Sequence, residues 1–187
     1  MLKFFDKDGN ELTEHDLQDK TYWCNRGETM EKAFVSLYGD ITAYDINPKK
    51  KGDKYALDFI SVKTKILADL KSQHRPFFTS GETYNIDSQH AVTFNVKDKR
   101  RYEQNFPGMD VIYFIDWVAV RMLNTETQKE WTVNPMLGIY KISFRVFKEI
   151  LSKAPVHKYK QRENDRMGNA RDSYVIDIRN NAFEKLL

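Results

Sequence analysis

The sequence is almost without cysteine: Cys24 is the one cysteine among 187 residues. A lone thiol forms no disulfide within its own chain, and it has no companion thiols for a zinc site. Disulfides are common in oxidising compartments and rare in the cytosol. The scarcity of cysteine therefore predicts a protein of the reducing cytoplasm, in which Cys24 acts as a small buried apolar side chain.

Long hydrophobic runs are missing as well. The longest, VIYFIDWVAV at residues 111–120, is interrupted by Asp116, and the N-terminal MLKFFDKDGN lacks the apolar stretch of a secretory signal. We therefore expect no membrane-spanning segment and no membrane partner. With 41% hydrophobic and 30% charged residues, the composition is that of a folded globular protein, and the length predicts one domain.

Several common motifs of catalysis and ligand binding are absent. The four histidines show none of the H-x-H or HExxH spacings of zinc sites. No GxSxG, P-loop or GxGxxG motif occurs. DKDGN resembles the start of a calcium loop, but its glycine follows the second Asp directly and no Glu closes a twelve-residue loop. Calcium binding is therefore not expected.

The pattern of apolar residues predicts a mixed α/β chain. Helical spacing predicts an amphipathic helix over residues 25–37, capped by Asn25 and ended by Gly39. A hairpin is predicted around Asp8-Gly9-Asn10. The apolar run at 110–120 predicts a central strand buried on both faces. The remaining predictions are strands at 40–46, 55–62, 65–73, 137–143 and 173–179, helices at 94–104 and 144–154, and a short terminal helix at 181–187. Together these elements predict a mixed sheet flanked by helices.

The strands at 55–62 and 65–73 alternate polar and apolar residues. If they pair as a hairpin closed near residues 63–64, the numbers of opposed residues sum to 127, so that Asp58 faces Asp69. Opposed Cβ atoms lie about 4.5–5.5 Å apart, so the two carboxylates repel each other unless a cation or a proton lies between them. The pairing predicts a core face of Leu57, Phe59, Ala68 and Leu70, and a polar face of Asp58, Asp69, Lys71 and Gln73.

A divalent metal ion is the simplest cation for two opposed carboxylates. Oxygen-only ligation with positions left for water suits Mg²⁺ or Mn²⁺. Lys71, two residues after Asp69, projects to the same side and could orient a water or stabilise charge on a phosphate. These residues predict phosphodiester hydrolysis. A solvated sheet face with a cross-strand Asp–Lys pair is the alternative that the residues leave open.

Asp58 together with Asp69-Leu70-Lys71 resembles the PD-(D/E)xK nuclease superfamily, whose fold is restriction-endonuclease-like. Leu57 stands where the name-giving pattern has proline, and residue 69 is Asp rather than Glu. The resemblance implies a metal-dependent nuclease with an αβββαβ core. It also implies that Asp58, Asp69 and the Leu70 carbonyl bind the metal and that Lys71 assists the attack on the phosphate.

The resemblance assigns roles to further residues and divides the chain. A helix before the sheet would bring Glu31 to the metal, with Glu28 as the alternative, although both are also compatible with ordinary helix-surface acids. Gln73 matches a residue found two positions after the lysine in some branches. The chain would then consist of an N-terminal hairpin extension (1–24), the catalytic core (25–120) and a C-terminal extension of the sheet (121–187).

The basic residues are clustered, although 30 Lys and Arg against 27 Asp and Glu leave a net charge of only +3. Three stretches, at residues 47–54, 97–102 and 153–171, are candidates for phosphate contacts, which position a nucleic acid without reading its sequence. Solvated connectors are the alternative interpretation. The residues predicted to bind nucleic acid are Lys49, Lys50, Lys51, Lys54, Lys99, Arg100, Arg101, Lys158, Lys160 and Arg162.

The sequence thus predicts a DNA endonuclease that depends on Mg²⁺ or Mn²⁺, of the restriction, junction-resolving or phage and mobile-element type. A restriction enzyme or resolvase would normally act as a homodimer. The second hypothesis is a non-catalytic nucleic-acid-binding or interaction domain that retains the fold with a silent site. A nuclease directed at RNA is the third.

Overall fold

The computed structural model describes residues 1–13, 20–53, 55–159 and 172–187, with the backbone alone for residues 20–24. Within these ranges the fold is mixed α/β, as predicted. The strands are β1 (Leu2–Phe5), β2 (Tyr44–Ile46), β3 (Phe59–Ser61), β4 (Leu67–Gln73), β5 (Ala91–Asn95), β6 (Asp110–Asp116), β7 (Arg121–Asn124), β8 (Lys129–Thr132), β9 (Leu137–Ser143), β10 (Val156–His157), β11 (Ser173–Asp177) and β12 (Glu184–Lys185). The helices are α1 (Lys20–Thr42), α2 (Ser80–Tyr84), α3 (Val96–Asn105) and α4 (Phe144–Leu151), with 3₁₀ turns at Pro48–Lys51 and Ser88–His90.

Six strands form the main sheet, in the order β12-β9-β6-β4-β3-β2. β4 and β6 run parallel, whereas the other neighbours in this sheet are antiparallel. The chain between the two parallel strands contains β5 and α3. β6 lies between β4 and β9, and its residues from Asp110 to Ile115 are all buried. The prediction of a central strand buried on both faces is therefore confirmed.

Each face of the main sheet has its own apolar core. On one face, the Phe34 ring of α1 lies 5.3 Å from Phe59 and 5.7 Å from Phe114. On the other face, Tyr113 packs on Phe147 of α4, with 6.2 Å between their ring centroids. Asp69 and Lys71 of β4 pair with Val111 and Tyr113 of β6, and both of these are buried in the second core. The polar residues of β4 therefore share the face that α3 and α4 cover.

The register of β3 and β4 is the one predicted from the sequence. Phe59 pairs with Ala68 and Ile60 pairs with Leu67, so the residue numbers sum to 127 in both pairs. One residue of the predicted core face is misplaced. Leu57 is buried in the second core rather than beside Phe59, because it precedes β3 and is not bound by the alternation of that strand.

α1 is longer than predicted, since it continues through Gly39, and Asn25 lies inside it rather than at its cap. Gly39 permits a close approach instead: a Cβ there would lie 3.3 Å from the carbonyl oxygen of Tyr44, where the chain returns as β2. The helix is closed by Ala43, which has a φ of 57° and donates its N–H to the Gly39 carbonyl at 2.8 Å. Neither α1 nor any other described helix is both long and apolar enough to cross a membrane.

The N-terminal hairpin is predicted only in part. β1 pairs with β7, and the chain after the turn returns to β1 through an isolated bridge between Phe5 and Glu11. Asp6 organises the turn, because its Oδ1 accepts the backbone N–H groups of Asp8 at 2.9 Å and Asn10 at 2.8 Å. Backbone hydrogen bonds from Asp6 to Asn10 at 3.0 Å and from Leu12 to Phe4 at 2.8 Å pair the two arms only over this short stretch.

The last third of the chain contributes to all three sheets. β9 and β12 extend the main sheet, β7 and β8 join β1, and β10 and β11 join β5. The helical turn predicted at residues 181–187 is wrong, since β12 pairs there with β9. The Phe183 ring packs in the core, with its centroid 5.7 Å from that of Phe147 and 6.0 Å from that of Tyr113. The residues that follow Phe183 pair with β9 as β12.

Phe34→Ala tests the core that joins α1 to the sheet. Phe34 is 1% exposed, and truncation of a buried Phe costs about 3–5 kcal/mol of unfolding free energy. Leu37→Ala on the same helix is the matched control, since Leu37 is 68% exposed and its loss should cost less than about 0.5 kcal/mol. Urea unfolding measures both variants, and equal losses would contradict this placement of α1.

Candidate functional site

Asp58 is fixed at the start of β3 by the loop before it. The buried Asn47 donates its side-chain amide to the Leu57 carbonyl at 2.8 Å and its backbone N–H to the Asp58 carbonyl at 2.9 Å. The Asp58 carboxylate reaches β4, where Oδ2 accepts the N–H of Leu70 at 2.9 Å. β3 begins at Phe59, so this side chain replaces a strand neighbour at the edge of β4. The N–H and C=O of one strand residue point to the same side, so the Leu70 carbonyl faces that edge too.

Lys50 lies between Asp58 and Glu31. Its ammonium contacts Oε2 of Glu31 and lies 2.6 Å from Oδ1 of Asp58. Glu31 comes from α1 and Lys50 from the turn Pro48–Lys51, so a helix, a loop and the start of a strand meet here. The side chains are largely withdrawn from solvent, with exposed fractions of 20% for Lys50, 14% for Glu31 and 15% for Asp58. We call the two acids the Glu31–Asp58 pair, and they share one cation.

Asp69 and Lys71 belong to a second charged cluster, beneath α3. The Lys71 ammonium lies 2.9 Å from Oδ2 of Asp69, 2.5 Å from Oδ2 of Asp98 and 3.2 Å from the Tyr102 hydroxyl. It also lies over the rings of Phe94 and Tyr102, 5.4 and 5.5 Å from their centroids. The polar face of β4 is therefore covered rather than open to solvent, and Asp69 is buried.

The environment disfavours the charged form of both strand acids. Burial, followed by the charge of Glu31, raises the pKa of Asp58, although Lys50 and the Leu70 N–H act in the opposite direction. Burial likewise raises the pKa of Asp69. The ion pair with Lys71 lowers this pKa, but by less than burial raises it. Both carboxyl groups therefore take up a proton at a higher pH than an ordinary Asp.

The environment keeps both lysines charged. Burial works against the charge of Lys71, but Asp69 and the other acidic neighbours outweigh it and hold the pKa well above its ordinary value. Burial also opposes the charge of Lys50, and its hydrogen bonds to Asp58 and Glu31 raise its pKa nonetheless. At neutral pH both side chains are cations, so Lys71 can stabilise negative charge but has no lone pair with which to take a proton.

A cleft of about 350 Å³ opens beside the two clusters. Part of α1 forms one wall, residues 93–95 form the other, and residues 70–74 form the floor. The predicted site residues that line the cleft are Glu31, Leu70, Lys71 and Gln73. Asp58 and Asp69 do not line it. A ligand in this cleft would therefore meet Glu31, the cations Arg26 and Lys71, and the part of β4 that extends beyond its pairing with β3.

Gln73 ties β4 to β5 at the far end of the cleft. Its side-chain amide donates to the Thr93 carbonyl at 2.8 Å, and its Oε1 accepts the Thr93 N–H at 3.3 Å. β5 belongs to a different sheet from β4. The amide of Gln73 thus holds two sheets together at the site where the sequence predicts a catalytic contribution.

The predicted site residues form two groups instead of one. Glu31 and Asp58 meet at Lys50, and Asp69 meets Lys71. The groups are linked because Asp58 accepts the backbone N–H of Leu70, which lies between Asp69 and Lys71 in the sequence. Glu28, the alternative to Glu31, is exposed on α1. Of the two candidate helix acids, the structure therefore brings Glu31 to the site.

The basic residues predicted to bind nucleic acid differ in their surroundings. Those exposed to solvent are Lys49, Lys51, Arg100 and Lys158. Lys99 pairs with Glu103 at 2.8 Å, Arg101 donates to the Tyr55 carbonyl at 2.6 Å, and Lys50 is directed to the Glu31–Asp58 pair. Lys54, Lys160 and Arg162 lie outside the described residues. Of the predicted basic residues, the four exposed ones are therefore accessible to a polyanion.

Asp98 and Tyr102 were missed in the sequence. They lie four residues apart on α3, so both face β4 and enclose the Lys71 ammonium. The segment 97–102 carries four basic residues beside Asp98, and this composition predicts phosphate contacts rather than a site acid. An acid and a tyrosine at this spacing, on a helix predicted to follow the paired strands, are the signal that the sequence carries.

The donor set fits a divalent cation in part. Among the residues that the structure describes, no group of three or more His, Cys, Asp or Glu side chains could hold a metal. Glu31 and Asp58, however, already surround one cation, beside the open edge at Leu70. Mg²⁺ is often held by one or two carboxylates and completes its shell with water and substrate. The pair therefore fits such an ion, whereas Asp69 would have to turn away from Lys71 to join it.

No protein-family model matches the chain, and no curated protein or solved structure matches it either. What the site can do is therefore inferred from its geometry, its charges and the residues that surround it.

Lys71→Met tests the second cluster. Removing Lys71, whose side chain is 18% exposed, leaves Asp69 and Asp98 without their shared cation, and breaking such a buried pair costs about 3–5 kcal/mol. Lys97→Met on α3 is the control, since Lys97 is exposed and should matter by less than about 0.5 kcal/mol.

The loss should depend on pH, because it comes from two charged carboxylates. It is fully present at neutral pH and shrinks as the pH falls through the raised pKa of Asp69. Chemical unfolding at neutral and acidic pH measures it. A pH-independent loss would indicate that Lys71 stabilises the fold through its methylene groups instead.

Proposed function

We propose that this protein is a metal-dependent nuclease that hydrolyses phosphodiester bonds in DNA. One observation carries the proposal. Glu31 of α1 and Asp58, just before β3, both contact the Lys50 ammonium, and the Asp69-x-Lys71 element lies beside them. Acids brought together in this way repel each other unless a cation lies between them. The reducing cytoplasm remains the expected compartment.

The order and direction of the elements support the same assignment. α1 precedes β2, β3 and β4, which pair antiparallel, and α3 precedes β6, which pairs parallel with β4. We propose that these elements correspond to the αβββαβ core of the PD-(D/E)xK nucleases. The remaining strands would then be additions around that core.

In the proposed reaction, some residues of the chain would hold the metal ion and others would stabilise charge on the phosphate. Mg²⁺ or Mn²⁺, when bound, would lower the pKa of a water and neutralise charge on the phosphate. Glu31 and Asp58 would hold it, with the Leu70 carbonyl at the same edge and Asp69 as a further ligand. Lys71, held as a cation, would stabilise the negative charge that develops on the phosphate.

DNA as substrate is proposed from the exposed basic residues and the open cleft. Lys49 and Lys51 lie on either side of Lys50 in the turn Pro48–Lys51, and Arg100 lies on α3, which covers Lys71. Such residues position a backbone by its phosphates. A second copy of the chain is proposed to complete the enzyme if it resolves junctions or cuts both strands at a symmetric site.

A cleavage assay tests the proposal. Supercoiled and branched DNA are incubated with Mg²⁺, with Mn²⁺ or with EDTA, and an RNA substrate is run beside them. Cleavage should require the metal and should fall by about 100-fold or more in Asp58→Asn, which removes a charge from the metal site, and in Lys71→Arg, which keeps the charge but moves it from the position that Asp69, Asp98 and Tyr102 fix. Asp45→Asn, an exposed acid on β2, is the control, and circular dichroism checks folding. Cleavage that persists in both site variants would refute the site, and preferred cleavage of RNA would change the substrate.

A non-catalytic binding domain is the second candidate. The observation that favours it is that both acid groups are already neutralised by lysines of the same chain, Lys50 and Lys71. Such a protein would bind nucleic acid through its exposed basic residues without cutting it. Binding in the same assay without cleavage, under every metal tried, would select this function.

The pH profile provides an independent test of the acids. Asp58 and Asp69 bind a metal only when deprotonated, and burial raises the pKa of both above the ordinary 3.8. At subsaturating Mg²⁺, activity should therefore be lost on acidification at a higher pH than the protonation of an ordinary Asp would require, and should rise with pH through that range. Activity that stays constant down to pH values near 4 would contradict the environment described for these acids.

A further inference from the structure

We propose that Lys50 competes with a divalent cation for the Glu31–Asp58 pair. The inference rests on the proposed function in one respect only, the placing of a cation between these two acids. The fold already supplies an ammonium group at that position. A metal ion would bind there only by displacing it, so Lys50 sets the metal affinity of the site.

The two cations would need the same oxygen atom. Of the two carboxylate oxygens of Asp58, Oδ2 accepts the N–H of Leu70 at 2.9 Å and Oδ1 lies 2.6 Å from the Lys50 ammonium. A metal shared with Glu31 would use Oδ1, the oxygen that now faces Lys50, because one lone pair of Oδ2 is already taken by the Leu70 N–H. On Glu31, Oε2 is likewise in contact with the Lys50 ammonium.

The two cations would also repel each other strongly. Mg²⁺ lies about 2.0–2.1 Å from its carboxylate ligands, closer than an ammonium group approaches them. An ion that lay between Glu31 and Asp58 at that distance would occupy the space that Nζ now fills. Lys50, Glu31 and Asp58 are each no more than 20% exposed, so water screens the repulsion poorly. Binding of a metal between the two acids is therefore strongly disfavoured while the ammonium stays there.

Lys50 can leave without rearrangement of the loop. Asn47 caps the turn Pro48–Lys51 by accepting the N–H of Lys49 at 3.1 Å, and it donates to the Leu57 carbonyl at 2.8 Å. These bonds fix the backbone on which Lys50 is carried. A lysine side chain has a flexible four-carbon stem, so rotation alone removes the ammonium. Once displaced, it would join the exposed Lys49 and Lys51.

Binding of Mn²⁺ without nucleic acid tests the competition. Lys50→Met keeps much of the stem and removes the charge, and it should tighten Mn²⁺ binding by about tenfold or more, a factor equivalent to roughly 1.4 kcal/mol. Lys49→Met removes the neighbouring exposed charge and should leave the affinity within about twofold. Titration followed by electron paramagnetic resonance of free Mn²⁺ measures the affinities, and thermal unfolding shows that each variant is folded.

A second variant locates the effect. Glu31→Gln in the Lys50→Met background should abolish the gain, since the ion would lose one of its two carboxylates. Unchanged or weaker binding in Lys50→Met, the same gain in Lys49→Met, a gain that survives Glu31→Gln, or no saturable binding in any variant would each overturn the proposal. Because no substrate is present, tighter binding in a protein that cuts no DNA would support the competition while the nuclease assignment fails. Cleavage with unchanged Mn²⁺ affinity would show the reverse.

Discussion

The neutralisation of clustered carboxylates is the interaction on which the rest of this structure depends. Glu31 and Asp58 meet at Lys50, and Asp69 and Asp98 meet at Lys71, in places with little access to water. Like charges so close together would oppose folding if no cation lay between them. The loop before β3 brings Lys50 to the first pair of acids. The helix α3 brings Asp98 and the Tyr102 hydroxyl to Lys71 in the second cluster.

Local periodicity accounts for what the sequence predicts well. The alternation in β4 fixes which residues share a face, and with the short connection to β3 it fixes the register, which is why Phe59 opposes Ala68 as expected. The uninterrupted apolar run predicts β6 as a buried central strand in the same way. These features need only the period of a strand and the composition of a few neighbouring residues.

The remaining features depend on distant parts of the chain. A lysine in a basic loop has the same sequence signature whether it faces solvent or an acid pair, so the inward direction of Lys50 could not be predicted. The cover that α3 places over the polar face depends on how that helix docks, and Asp98 and Tyr102 became site residues only through it. The same dependence explains β12, whose strand form requires β9 as a partner.

The charge balance admits two functional outcomes, and the choice between them rests on whether a divalent ion can replace the Lys50 ammonium. If the ion can replace it, Lys50 occupies a metal site until a metal binds. If the ion cannot, Glu31, Asp58 and Lys50 form a structural ion-pair network. An experimental structure of crystals grown with Mn²⁺, with data collected at a wavelength where manganese scatters anomalously, tests this most directly. The account predicts an anomalous peak between Glu31 and Asp58, with the Lys50 ammonium displaced. Lys50 in place between the two acids, with no peak beside them at saturating Mn²⁺, would contradict it.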